Sequence, residues 1–196
     1  MREAMATIDP SSDGHPPIDL DVYRYRLDAG GEHYVAQQAD GERIVATLRL
    51  DVVRTAPIAM LRRLGLKVLP DTDGAYAHLA AEPDAAGIAG LAEVMATAYA
   101  VRADDPDDGF WLAACPAALT DIASAIGWRM IPQDDAAGRA DVPMVLLLDE
   151  LERFERIDSP LARAAPDRPI RPERLAALFM SLELPAEALG ERRAIG

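Results

Sequence analysis

His78 and Glu82 are the side chains best suited to moving a proton. Both lie near the carboxyl end of residues 75–81, an apolar stretch that reads as a strand. An imidazole and a carboxylate are the groups most often used to take a proton from an amine near neutral pH. For His78 two readings stand, a base and an ordinary structural histidine. Strand alternation puts it on one face of a sheet, and which face is not legible from the strand alone. Just beyond them Asp84-Ala85-Ala86-Gly87-Ile88-Ala89 opens a long Ala-, Leu- and Met-rich run. Small residues there bare the first N–H groups of a helix, and Asp84 reads as its N-cap. Cys115 precedes Pro116 with no histidine signature around it and reads as an inert thiol. Asp104-Asp105-Pro106-Asp107-Asp108-Gly109 starts like a calcium loop. Pro106 takes the second-ligand position and Cys115 stands where the closing Glu belongs, so it reads as a solvated acidic loop. His15, His33 and His78 are too scattered for zinc. No serine-hydrolase elbow, Gly-Lys-Ser/Thr loop or dinucleotide glycine pattern is present.

The elements that must hold these groups alternate between strand and helix. Strands are predicted over 22–27, 32–38, 43–50, 75–81, 110–115, 128–132 and 142–148. The second and third form a hairpin about the Ala39-Asp40-Gly41-Glu42 turn. Helices are predicted over 57–65, 85–103, 117–126, 149–156 and 173–182, and a further short one after Pro185. In the helix over 85–103 the residues Leu91, Val94, Met95, Ala98 and Tyr99 make one apolar face. Residues 70–74, 104–109 and 134–139 read as loops. Residues 1–20, dense in Asp, Ser, Gly and Pro, read as a flexible arm. This order argues for a mixed, twisted α/β sheet flanked by helices. The chain divides into an arm over 1–20, a domain over 21–158 and a Pro-punctuated helical extension over 159–196.

The chain has 196 residues and a net charge of −13. Residues 71–196 carry 11 Lys and Arg against 23 Asp and Glu, and the first part is near neutral. Such a surface repels nucleic acid and anionic lipid. Cations able to meet an anion, among them Arg43 and Arg49, lie in the first part. No apolar run reaches the ~18–20 residues of a membrane span. One cysteine and no apolar leader at the start match a cytoplasmic protein.

The segment from Tyr34 to Leu161 resembles the GNAT acyltransferase superfamily. It is most similar to the branch of N-acyl amino acid synthases and acyl-homoserine-lactone synthases. The motifs are YVAQQADGERIVATLRL, which ends in Arg49-Leu50, the strand–turn–helix of residues 75–102, and DVPMVLLLDELERFERIDSPL. The resemblance implies a GNAT-like fold and transfer of an acyl group from a thioester to an amine, amino-acid-like acceptor. The donor would be an acyl-carrier-protein phosphopantetheine or acyl-CoA, with no permanently bound cofactor. It implies that Ala86, Gly87, Ile88 and Ala89 cradle the donor phosphate at the helix N-terminus. Arg49 would anchor an anion, and His78 or Glu82 would act as base. Two positions depart from the superfamily pattern. Asp84 stands where a cation or amide is usual, and Ala123 where a proton-donating Tyr is usual. The alternative is therefore a catalytically degenerate relative that binds or assembles. Its contact surface, for a second copy or a partner chain, would be the helix with Leu175, Leu178, Phe179 and Leu182 on one face.

Overall fold

The computed structural model describes residues 3–7, 18–27, 31–41, 43–53, 64, 73–103, 105, 108–132 and 140–184. The strands, in chain order, are β1 (Glu3–Thr7), β2 (Leu20–Arg26), β3 (Glu32–Gln38), β4 (Ile44–Val52), β5 (Asp73–Ala81), β6 (Asp108–Pro116), β7 (Arg129–Met130) and β8 (Asp141–Leu147). The helices are α1 (Ala85–Arg102), α2 (Thr120–Ile126), α3 (Leu151–Arg156), α4 (Pro160–Ala164) and α5 (Pro172–Ser181). Among the described residues the strands form one sheet in the order β1-β2-β3-β4-β5-β6-β8-β7. Every pairing is antiparallel except β5 with β6. This is the mixed sheet flanked by helices that the alternation predicts.

Local chemistry explains the elements that position the site. The β3–β4 hairpin turns at Gly41, whose φ of +89° only glycine adopts without strain. A bulge at Ala36/Gln37 lets both Val45 and Ala46 face the core. Asp84 caps α1 by accepting from the Gly87 N–H at 2.8 Å. Its Ala-rich sequence favours helix. Leu91, Val94, Met95, Ala98 and Tyr99 then bury one face against the sheet, in a core that includes Tyr34, Leu48, Leu50 and Trp111. Each fully buried large apolar side chain contributes about 1.5–3 kcal/mol.

The opposite face of the sheet is covered by the C-terminal segment. Tyr76, Phe110, Leu112, Val145 and Leu147 pack with Leu178, Phe179, Leu182 and Leu184, and with Leu64. Leu161 of α4 belongs to the layer on the α1 side. The stretch from residue 159 to 184 therefore contributes to both cores, and the apolar side of α5 is buried within its own chain. It is not free to be the partner-contact surface that the sequence offers as one reading.

Between the two layers runs a buried polar strap at one end of the sheet. Glu32 takes hydrogen bonds from Arg24 and from the Tyr34 hydroxyl at 2.9 Å, and it faces Arg102 at 3.5 Å. Burial works to raise its carboxyl, but the bonds from Arg24 and Tyr34 outweigh that and hold it below the usual range. Arg102 Nε donates to Asp108 at 2.5 Å, and Trp111 Nε1 donates to the same carboxylate at 3.1 Å. Arg168 donates to the carbonyls of Arg102 and Asp108 and stacks 5.5 Å over the Tyr99 ring. Asp149 receives two bonds from Arg174, each 2.7 Å.

Several boundaries differ from the sequence reading. Glu3–Thr7 is a strand paired antiparallel to β2, not part of a flexible arm. The edge of β2 supplies the backbone partners that a low-hydrophobicity segment alone does not reveal. Helix α4 is an unpredicted turn of helix capped by Ser159, whose oxygen accepts from the Leu161 N–H. Asp73 and Gly74 belong to β5, and Asp108 and Gly109 to β6. The helix predicted over 57–65, save Leu64, lies outside the described residues, as do the loop over 134–139 and the helix after Pro185. No described helix is long and apolar enough to cross a membrane.

Candidate functional site at the strand wedge

Strands β5 and β6 run side by side only over their first halves. Their pairing ends at Ala77↔Ala113. Beyond that point β5 stays paired with β4 as far as Ala46↔Ala81, and β6 stays paired with β8 as far as Pro116↔Asp141. Each strand follows its outer neighbour, and the two part. The inner edge of β5 from His78 onward consequently carries backbone groups with no strand partner in β6. His78 is the first residue past the parting.

At the mouth of this wedge α1 begins. Gly87 packs so closely that a Cβ there would lie 2.0 Å from the Glu82 carbonyl oxygen. The close approach of the Glu82 backbone thus requires glycine, whether or not a ligand is bound. Gly87→Ala is expected to lower stability by about 1–3 kcal/mol through overpacking. Thermal melting of the ligand-free protein checks this as a drop of several degrees. The Gly87 N–H, then Arg43, hold the Asp84 carboxyl below the ordinary carboxylate range. Arg43 reaches Asp84 at 2.7 Å and Glu82 at 3.5 Å. Ala86 is buried and Ile88 exposed. Residues 86–89 form the first turn of α1, where Asp84 already occupies the Gly87 N–H and the cation beside it is Arg43.

Arg49 lies elsewhere. Register places Tyr25 opposite His33, His33 opposite Arg49, and Arg49 opposite His78. These four form one row across the sheet on the face turned away from α1, since Leu48, Leu50, Ala77 and Leu79 point into the α1 core. Arg49 Nε donates to Asp51 Oδ1 at 3.1 Å. His78 Nε2 lies 3.2 Å from Asp51 Oδ2, and its ring meets Tyr76 edge-on at 4.8 Å. The His78 side chain is 38% exposed and that of Arg49 52%. Burial, then the Arg49 charge, lowers the His33 imidazole from its ordinary value. Arg49, expected among the donor-binding residues as an anchor for an anion, is turned by strand alternation to the face away from residues 86–89. His78 and Glu82 are also separated. Glu82 joins Arg43 at the α1 N-terminus, and His78 joins Asp51.

The arrangement has counterparts among solved structures. TofI, solved in a ternary complex with an inhibitor and MTA, aligns with a TM-score of 0.50 and 16% identity, covering 78% of this chain and 80% of that chain. A spermidine N-acetyltransferase, the SpeG K23-Q34 chimera from Vibrio cholerae and hSSAT, aligns with a TM-score of 0.39 and 11% identity, covering 63% of this chain and 70% of that one. No protein-family model matches the sequence, and no curated protein matches it. The chain has a GNAT-like fold.

In the GNAT-like frame of this chain, Ala123 is fully buried on α2, and its carbonyl accepts from the N–H groups of Gly127 and Trp128. It has no proton to give. Cys115 is also fully buried. Burial, then the Asp141 charge, pushes its thiol up to about 11, which keeps it protonated and inert. Among the described residues no cluster of His, Cys, Asp and Glu is arranged to hold a metal.

Sequence reasoning did not name Asp51, which binds both Arg49 and His78. Alternation along β4 would have put it on the Arg49 face. The missing information was the pairing of β4 with β5, which is set by a connection far longer than a hairpin.

Proposed function

We propose that this chain is an N-acyltransferase that moves an acyl group from a thioester to an amine, with His78 as the general base. The observation that carries this reading is the position of His78, first past the β5–β6 parting and with Nε2 3.2 Å from the Asp51 carboxylate. With its Nε2–H donated to the Asp51 carboxylate, His78 keeps a lone pair on Nδ1. That nitrogen takes a proton from the acceptor ammonium. The freed amine attacks the thioester carbonyl carbon, forming the C–N bond, while unpaired N–H groups on the inner edge of β5 polarise the carbonyl oxygen. The C–S bond then breaks. The departing thiolate takes the second amine proton and leaves as a thiol, and His78 returns its own proton to solvent. No side chain is needed to protonate the leaving group, which accommodates Ala123. Glu82, tied to Arg43, serves the donor end.

The donor is an acyl thioester whose phosphate meets the α1 N-terminus and Arg43. Asp84 favours a phosphopantetheine arm of a carrier protein, with one phosphate, over coenzyme A, with three. Asp84→Asn keeps a residue that caps helices equally well and removes the competing charge. It is expected to lower the KM for acyl-CoA several-fold with kcat little changed. A KM that stays put or rises would place the phosphate elsewhere.

Asp84's hold on Gly87 and the burial of Ala123 favour a second reading, in which the chain binds a thioester arm without turning it over. Thiol release from acyl thioesters of varied length, with amines present, separates the two. Its absence across all chain lengths and amines removes the enzymatic reading.

A further inference from the structure

We propose that Leu79 and Cys115 close the inner side of the wedge and so restrict the transferred acyl group to a short one, acetyl to butyryl, excluding a fatty chain. This rests on the acyl-transfer reading and deepens it. Leu79 and Cys115 each lie two residues past Ala77↔Ala113, the last pair of β5 with β6. They therefore stand at matching positions on the two sides of the parting. Alternation turns both toward α1, and both belong to the apolar layer there. A thioester whose carbonyl is polarised by the free edge of β5 at His78 would carry its tail straight toward them.

The layer behind them is full. Ala77, Leu91, Met95, Ala113 and Ala123 are at most 1% exposed, and Cys115 is fully buried. An alkyl chain is wider than a water molecule, so a channel able to hold one would wet its lining. These residues leave no such channel. On the other side of the sheet Tyr76, Leu112 and Ile131 pack into the second core and are at most 5% exposed. Among the described residues the way left open runs past His78. It is bordered by Ala80, two residues along the same strand, and by Ala114, which packs at the edge of the second core. Their methyl groups leave room for a few carbons beside the imidazole. The amine has to enter by this same face to reach His78, so a long tail there would stand in its path. A small acyl group fits the room and leaves the path free.

The test uses the full chain with phosphopantetheine thioesters of acetate, butyrate, octanoate and dodecanoate, and a mixture of amino acids and alkylamines as acceptors. Thiol release gives kcat/KM, and binding of the matching S-alkyl thioethers gives affinity without turnover. Wild type is expected to favour acetyl or butyryl over octanoyl by tenfold or more. Octyl and dodecyl thioethers should bind no tighter than the butyl one, whereas a buried channel would tighten binding about fourfold per methylene. Leu79→Ala should raise the octanoyl-to-acetyl ratio at least tenfold, and the milder Leu79→Val by less. Ala114→Val narrows the open side and should lower the butyryl-to-acetyl ratio several-fold. Wild type that turns over octanoyl as well as butyryl, or binds the octyl thioether more than tenfold tighter than the butyl, would overturn the length limit while leaving acyl transfer intact. Unchanged ratios in folded Leu79→Ala and Leu79→Val proteins would overturn it too. Affinity that levels off at butyl without any thiol release would uphold the closed wedge and sink the acyl-transfer reading. No binding of any thioether would remove both.

Discussion

His78→Gln is expected to reduce thiol release by roughly 10²–10⁴-fold, the range contributed by a positioned general base, with little change in melting temperature. Glutamine can still donate a hydrogen bond to Asp51, so the local structure keeps its anchor, but it has no basic nitrogen. The side chain is partly exposed and lies outside both apolar cores, which is why folding should be spared. Asp51→Asn should lose less, because the imidazole remains and only its orientation and tautomer are released. Progress curves for both variants at saturating donor and acceptor provide the measurement. A His78→Gln protein that retains more than about a third of the wild-type kcat would show that the proton goes elsewhere, and Glu82 would become the next residue to test.

Asp108→Ala should produce the largest loss of stability, about 3–5 kcal/mol, the usual consequence of deleting one partner of a buried ion pair. At this chain length that corresponds to a melting temperature lower by roughly 6–20 °C. Asp108 is 1% exposed and takes bonds from both Arg102 and Trp111. Its removal strands a half-buried guanidinium and a buried indole N–H, leaving Arg102 only the longer contact to Glu32. Burial pushes the Asp108 carboxyl up against the opposing pull of Arg102. Asp108→Asn, which keeps an acceptor and loses the charge, is expected to fall between the two. Chemical denaturation of the three proteins gives the comparison, and a loss below 1 kcal/mol for the alanine variant would mean that solvent reaches the strap.

How much of this was legible in the chain depended on the distance over which each feature is determined. The β3–β4 hairpin follows from alternating residues around Asp40-Gly41, and α1 from the Asp84 cap and the spacing of Leu91, Val94, Met95, Ala98 and Tyr99. These are local signals, and their positions agree with the structure to within a residue or two. The strand Glu3–Thr7 was not legible because its partner β2 decides its conformation. Helix α4 was missed because its five residues, Pro160–Ala164, are too few for a periodic pattern. At the site, the alternation that puts Arg49 opposite His33 is readable from the hairpin alone. The step from Arg49 to His78, and with it the role of Asp51, needs the register of two strands joined by a long connection. Gly87 shows the reverse case. The sequence offers it for the close approach of a phosphate, whereas the contact that demands glycine in the structure is the Glu82 backbone, which no spacing rule would supply.

The two faces of the sheet are closed by pieces of chain far apart in synthesis order. As the chain leaves the ribosome, the side chains of Tyr76, Phe110, Leu112, Val145 and Leu147 emerge well before Leu178, Phe179 and Leu182, with which they pack. A nascent chain halted near residue 158 would therefore display a bare apolar surface, the kind of species that chaperones hold and that aggregates when they do not. Shortening the gene from its 3′ end should for that reason yield insoluble product well before the cut reaches the wedge.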